Sequence, residues 1–344
     1  MSEYLAQKPA TQIQAGPVGT LLAGRRAWII SDGVTGHLAI TGGIAETLRL
    51  SAEIKTVVPG LPWRHLAPNG PADPRLLKAM IAESQPDIVL GAGRQTVPFV
   101  RALKRAGGGR VFTVIFQSPR AGLSSAHVIW APLHDQLCGP NVITTLTPPH
   151  RFTAAALADL RARVPAEIAA LPGPRAALLL GGPGAGYVYD DATIRRFAAI
   201  VAGVAALAGS LLITPSRRTP PALLAAVDAA TMAKPRIVWR GDGENPYPDF
   251  LANADLFVVS ADSVNMAGEA CATGKPVYVF TPLGGRRKFH RFHAALREHG
   301  ATRSLDAVPA TLEAWSYGPL ASAEQVAAEI EARWQTFQST TSTR

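Results

Sequence analysis

Residues 255–280 read DLFVVSADSVNMAGEACATGKPVYVF. An apolar run, Leu256 to Val259, gives way to the polar turn Ser260-Ala261-Asp262-Ser263. A stretch of small residues, 264–273, follows, then Gly274-Lys275-Pro276 and a second apolar run, Val277 to Phe280. The order is strand, turn, helix, turn, strand, the repeating unit of a parallel sheet. Asp262 or Ser263 is the expected N-cap. The unpaired N–H groups of the first turn, around Asn265 and Met266, join with the helix dipole to form an anion site. Glu269 follows Ser263 by a rise of roughly 9 Å along the helix axis. A diphosphate on the helix start thus places its ribose near a carboxylate that can accept from both hydroxyls. The same residues also read as a capped helix with a surface glutamate.

Outward from this unit the alternation continues in both directions. Before it, Ala27–Ile30, Lys55–Val58, Asp87–Leu90, Val111–Phe116, Val128–Trp130 and Val142–Thr145 read as strands. Helices are expected up to about Leu50 and over 73–84 and 95–106. Around residues 165–175 three prolines and a glycine interrupt any regular element, which marks a linker. The pattern then restarts with strands at Ala177–Leu180, Leu211–Thr214 and Ile237–Trp239. Helices are expected over 191–208, 220–230 and 288–299, with a last amphipathic one over 322–337. The fold class predicted is α/β, with two facing Rossmann-like doubly wound domains and a cleft between them. The expected division is a flexible tail over 1–24, an acceptor-side domain over 25–165, a nucleotide-diphosphate-side domain over 173–315, and a C-terminal helix and tail over 316–344.

At 344 residues the chain is long enough for two cores. Hydrophobic residues make up 47% and charged ones 17%, which excludes a disordered chain. The formal net charge is +9, carried mostly by Arg, whose planar fork suits phosphate. No long basic run or basic helix with interleaved aromatics is present, so nucleic acid is not an expected partner. Only two cysteines, Cys138 and Cys271, occur, far apart, which excludes a disulfide framework and a cysteine-rich zinc site. No charged-then-apolar leader opens the chain, and the apolar window Phe197–Ile213 is broken by Gly209-Ser210. The expected location is cytoplasmic, with peripheral contact at the inner membrane left open.

Four further clusters carry chemistry. Gly181-Gly182-Pro183-Gly184 follows an apolar strand, where glycines let a backbone approach a ligand. Ser216-Arg217-Arg218 at the end of the next strand offers a hydroxyl and two guanidiniums to a pyrophosphate, or is a solvated loop. Asp32-Gly33-Val34-Thr35-Gly36-His37 follows the first strand. His37 facing the cleft could take a proton from an acceptor hydroxyl, with Asp32 as a rival base. Gly93-Arg94-Gln95 is a strand–turn–helix nest for an acceptor phosphate, or simply a strand end. His134-Asp135 could form an imidazole–carboxylate pair only if the backbone turns, because neighbours in a strand point to opposite faces. The basic stretch Gly284–Arg291 could grip phosphate or an anionic lipid headgroup. His290 and His293 have no carboxylate beside them, so no metal site is expected. The first loop lacks G-x-G-x-x-G and Glu53 opens its strand, which argues against a dinucleotide-binding oxidoreductase.

The stretches SDGVTGH, PDIVLGAGRQTVP, APLHDQLCGPNVITTLTPPH, LLLGGPGAGY, LLITPSRRTP and ADSVNMAGEACATGKPV together resemble the mitochondrial-fission (elongated-mitochondria) family. The resemblance spans about Trp28 to Phe280 and, with the Ala/Arg-rich composition, implies a bacterial member. NPYPDFLANADLFVVSADSVNMAGEACATGKPVYVF is also similar to the donor half of GT-B glycosyltransferases. The resemblance implies a GT-B-like fold. It also implies one of two functions. One is a nucleotide-sugar enzyme with a small-molecule or lipid acceptor. It needs no cofactor beyond the nucleotide-diphosphate sugar as substrate. The other is a non-catalytic recruitment protein working through protein or membrane contacts. A fold hosts many functions, so the match leaves this choice open.

Overall fold

The computed structural model describes residues 21–342. The first domain begins with β1 (Arg26–Ser31), α1 (Thr35–Thr47), β2 (Ser51–Thr56), α2 (Trp63–Leu66) and α3 (Pro74–Ala82). It continues with β3 (Ile88–Ala92), α4 (Val97–Ala106), β4 (Phe112–Phe116), β5 (Val128–Pro132) and β6 (Val142–Thr145). Its strands form one parallel sheet in the order β2-β1-β3-β4-β5-β6. The central strands are buried throughout and therefore read as continuous apolar runs, such as IVLGA in β3 and FTVIF in β4. β2 is an exposed edge instead. It pairs from Ser51 to Thr56 against β1, so the strand expected over Lys55–Val58 starts four residues earlier. Its polar residues hid it. Lys55 is held there by Glu53 and Glu83, each at 2.6 Å.

Next come α5 (Ala154–Ala162), α6 (Ala166–Ala169), β7 (Arg175–Leu180), β8 (Tyr187–Val188), α7 (Asp191–Leu207), β9 (Ser210–Pro215), α8 (Pro221–Thr231), β10 (Arg236–Val238) and α9 (Tyr247–Asn253). Then come β11 (Leu256–Ser260), α10 (Val264–Cys271), β12 (Val277–Phe280), β13 (Leu283–Gly284), α11 (Arg287–Glu298), β14 (Thr302–Ser304) and α12 (Ser322–Ser342). The second parallel sheet runs β10-β9-β7-β11-β12-β14. β8 and β13 pair antiparallel outside it. The architecture is the expected one, two doubly wound α/β domains of GT-B type. No described helix is long and apolar enough to cross a membrane.

The packing moves the expected domain boundaries. Phe152, Leu157 and Ile168 belong to the core of the second sheet, so the chain crosses between domains just after β6 rather than at 165–175. Pro165 does not break structure there. It stands at the N-cap of α6, where its missing N–H costs nothing. At the other end, α12 returns to the first domain. It buries Ala323, Val326, Ile330 and Trp334 against α1, β5 and β6, with Trp334 edge-on to Phe112 of β4 at 5.6 Å. Helix α12 is thus part of the first core, whereas Tyr317 and Leu320 just before it pack on the second; each fully buried apolar side chain contributes about 1.5–3 kcal/mol. The two crossings are tied by Thr147 Oγ1 and Ser322 Oγ, 2.6 Å apart. Of the expected tail, residues 1–20 lie outside the described residues. Residues 21–24 form a turn whose Leu22 is completely buried in the first core.

Candidate functional site

The carboxyl ends of both sheets face one cleft. On the first-domain side, the turn after β1 carries Asp32 and His37. Gly33 takes φ +80°, a conformation glycine adopts without cost. Asp32 Oδ1 caps the turn through the Val34 amide at 3.2 Å and also meets His37 Nδ1 at 2.9 Å. The two expected rivals are therefore a pair. Asp32 fixes the imidazole and leaves Nε2 as its second nitrogen. Gly93, at φ +98°, lies directly behind: a Cβ there would stand 2.6 Å from His37 Nδ1. Gly36 has open space where a side chain would be.

The rest of the acceptor-side set divides. Arg94 donates to the His65 carbonyl at 2.8 Å and lines a cavity of about 310 Å³ together with His37, Gly93, Arg120, Asp135 and Lys288. Gln95 donates to the Arg64 carbonyl at 3.1 Å and acts as a loop anchor. His134 turns away, edge-on to Phe292 at 5.4 Å, and its carbonyl accepts from Arg291 at 3.0 Å. Burial lowers its pKa from the usual histidine value. His134 Nε2 and Asp135 Oδ1 are 3.8 Å apart, within ion-pair reach but beyond hydrogen-bonding distance, so the pair that the sequence suggested forms only as a loose electrostatic contact. Asp135 instead stands 3.7 Å from Lys288 of α11, across the cleft.

On the second-domain side, Ser263 is the N-cap of α10 and accepts from the Met266 amide at 3.4 Å. The early N–H groups, at Val264 and exposed Asn265, have no acceptor within a helix. Asp262 takes a different place from the one expected. Its carboxylate is wholly buried and accepts from the Gly182 amide at 3.0 Å, Tyr189 Oη at 2.6 Å and Arg218 at 3.0 Å. An anion so saturated repels phosphate rather than binding it.

The Gly181-Gly182 turn is likewise closed. Gly181 donates to Ser260 at 2.9 Å, and a Cβ on Gly182 would overlap the Arg218 carbonyl. Gly184 faces the Arg218 guanidinium. Gly181 and Gly182 admit the protein's own groups, so their two amides are not offered to a ligand. Arg218 is the structural member of its pair, since it also donates to the Pro183 carbonyl at 3.2 Å. Arg217 is exposed and reaches Thr35 Oγ1 of α1 at 3.5 Å. Ser216 braces the loop, with its Oγ 3.1 Å from Thr219 Oγ1.

Glu269 lies on α10 beneath Ser263, partly buried, with Tyr247 Oη donating to its Oε2. Burial pushes its carboxyl up to about 7, against the opposing pull of the Tyr247 hydrogen bond and Arg151. Tyr247, Gln117 and Arg120 were not singled out from sequence. Tyr247 sits in NPYPDF, where prolines concealed the short helix α9. Gln117 and Arg120 occupy φ +78° and +53°, conformations no pattern of residue types announces.

The family model described as "Mitochondrial fission ELM1" matches residues 35–334. Mitochondrial fission protein ELM1 of Arabidopsis thaliana is 32% identical over 71% of this chain, which spans only 63% of that protein's length. The uncharacterized protein RP120 of Rickettsia prowazekii is 26% identical over 88% of this chain and 97% of its own. A solved structure from Listeria monocytogenes, described as a UDP-N-acetylglucosamine 2-epimerase, superposes with a TM-score of 0.51 at 14% identity, over 91% of this chain and 98% of that one. That likeness carries the fold and nothing further. With its residues 35–334 matched, the chain belongs to the mitochondrial fission ELM1 family.

Proposed function

We propose that the cleft binds a nucleoside-diphosphate sugar and transfers its sugar to an acceptor hydroxyl. The observation that carries this reading is the Asp32–His37 pair at 2.9 Å, facing a loop whose Arg217 reaches within 3.5 Å of Thr35 on the same helix. His37 Nε2 takes the proton from the acceptor hydroxyl, and Asp32 stabilises the imidazolium that results. The acceptor oxygen bonds to the anomeric carbon as the bond from that carbon to the diphosphate oxygen breaks. Arg217 and the N–H groups at the start of α10 receive the leaving nucleoside diphosphate. Glu269 holds the ribose once Tyr247 releases it.

A second reading is a binding or recruitment protein without turnover. It is favoured by the closed Gly181-Gly182 turn, by the Tyr247–Glu269 contact and by the mitochondrial-fission name of the Arabidopsis relative. Titration with UDP, GDP, ADP and CMP by calorimetry, beside Glu269→Ala and His37→Gln, separates the two. The transferase reading expects micromolar binding of one nucleotide, weakened tenfold or more by Glu269→Ala (about 1.4 kcal/mol per tenfold). It expects His37→Gln to bind as wild type but turn over about 10²–10⁴-fold more slowly. Binding without turnover of any sugar nucleotide selects the second reading. Absence of binding by all four nucleotides rejects the donor site.

A further inference from the structure

The cavity of about 310 Å³ behind His37 collects charge of one sign. Arg94 and Arg120 come from the first domain and Lys288 from α11 of the second, while Asp135 is the one carboxylate on its wall. Arg94 is held by the His65 carbonyl at 2.8 Å. Lys288 is 3.7 Å from Asp135, so part of its charge is compensated. Arg120 has no carboxylate partner among the described residues. It stands in a loop that leaves β4 with two non-glycine residues in the left-handed region, Gln117 and Arg120. The Gln117 amide is already spent on the Trp130 carbonyl at 2.7 Å, which fixes the loop's departure. Strained backbone of this kind gathers at functional sites, where the surroundings hold it in place.

Three cations and one carboxylate line one cavity, and such a cleft raises the local anion concentration. The arginine fork suits phosphate oxygens. The volume is at the small end of small-molecule pockets, about 300–1,000 Å³. Arg217, Ser263 and Glu269 do not line this space, but His37 does. We infer that the cavity seats a phosphate or phosphodiester group on the molecule whose hydroxyl His37 deprotonates, so that the acceptor is a phosphorylated compound. The inference rests on the transferase reading for the word acceptor, whereas the anion site itself is independent of it.

Inorganic pyrophosphate titrated into the full chain by calorimetry tests the site. Arg120→Gln and Lys288→Gln are surface changes whose folding is checked by their melting temperatures. Each is expected to weaken pyrophosphate tenfold or more. Asp135→Asn is expected to tighten it, and Arg217→Gln, on the nucleotide side, to leave the Arg120-dependent binding step in place. The carrier is settled by flotation with phosphatidylcholine vesicles with and without phosphatidic acid. Arg120-dependent flotation with phosphatidic acid alone assigns a lipid-borne phosphate, and pyrophosphate binding without flotation assigns a soluble one. If no nucleotide binds but this pattern persists, the transferase reading fails and the anion site stands. Absence of pyrophosphate binding, or binding lost in Arg217→Gln and kept in Arg120→Gln, overturns the inference.

Discussion

The turn after β1 and the turn after β7 look alike in sequence: each is glycine-rich and each leaves the first strand of its domain. In three dimensions they are opposites. Around Gly33 and Gly36 nothing lies within 4 Å of where a side chain would be, and the turn displays Asp32 and His37 to the cleft. Around Gly181 and Gly182 the space is taken by Asp262, Ser260 and the Arg218 backbone, and the amides are already bonded. Glycine thus serves two ends. In the first turn it supplies a conformation and an open approach. In the second it lets the protein close on itself. The difference separates groups that can meet a ligand from groups that hold those groups in place.

The largest effect is expected where the second turn is forced open. Gly182→Ala puts a methyl into the Arg218 carbonyl, a backbone atom that cannot rotate away. Overpacking of this kind costs typically about 1–3 kcal/mol and occasionally more. Asp262→Ala is worse, because it strands the Gly182 amide, Tyr189 Oη and Arg218 together. Each buried donor left without its acceptor costs about 1–3 kcal/mol, while Arg218, 46% exposed, turns to water. Urea denaturation should show both losses without any ligand present. If Gly182→Ala keeps wild-type stability and only weakens nucleotide binding, that turn faces a ligand after all and the comparison collapses.

What the sequence disclosed follows the same division. The buried strands were legible because a strand covered on both faces must be apolar throughout, as β4 and β11 are. The N-cap at Ser263 was legible from residue type and position, and so was the histidine at the start of α1 that the structure pairs with Asp32. The closure of Gly181-Gly182 was not, because Asp262 lies some eighty positions on and only tertiary packing brings its carboxylate beneath the turn. The crossing of the chain was misplaced for a related reason: α5 and α6 look like a first-domain ending until Leu157 and Ile168 are found in the second core. Edge strand β2 is exposed on both faces, and Ala52 and Ile54 alone make too weak an alternation to mark its start.

Glu269 gives an intermediate effect and sharpens the comparison on the second-domain side, where it too is engaged by a protein donor. Its carboxyl rises from 4.5 to about 7 on folding, chiefly by burial. The folded state therefore binds the proton more tightly than the unfolded one. Its contribution is fully present below about pH 4.5 and is lost as pH rises to about 7. Burial of His150 and His293, each lowered to about 4, acts with opposite sign as pH falls below the usual histidine value of 6.5. Glu269→Gln isolates the first term. It should nearly match wild type near pH 4.5 and exceed it by up to about 3 kcal/mol at pH 8, at about 1.4 kcal/mol per unit. Equal stability at both pH values would show that the carboxyl is not held in an enclosed site.

The smallest effect is the most discriminating for the first turn. Gly36 lies in the first turn of α1 with open space at its Cβ position and no positive φ. Alanine there should stabilise the protein by up to about 1 kcal/mol, since glycine is that much poorer in a helix. In the second turn the same substitution is destructive, so opposite signs for Gly36→Ala and Gly182→Ala in one denaturation series test the comparison directly. The open space beside Gly36 also adjoins His37. If that space belongs to the acceptor, Gly36→Ala should raise stability while raising KM, with the pH profile of turnover unchanged because the Asp32–His37 pair is untouched. A gain in stability with wild-type KM would mean that the acceptor approaches His37 from the Gly93 side instead. A loss of stability would mean that the first turn, like the second, is shaped by contacts within the protein.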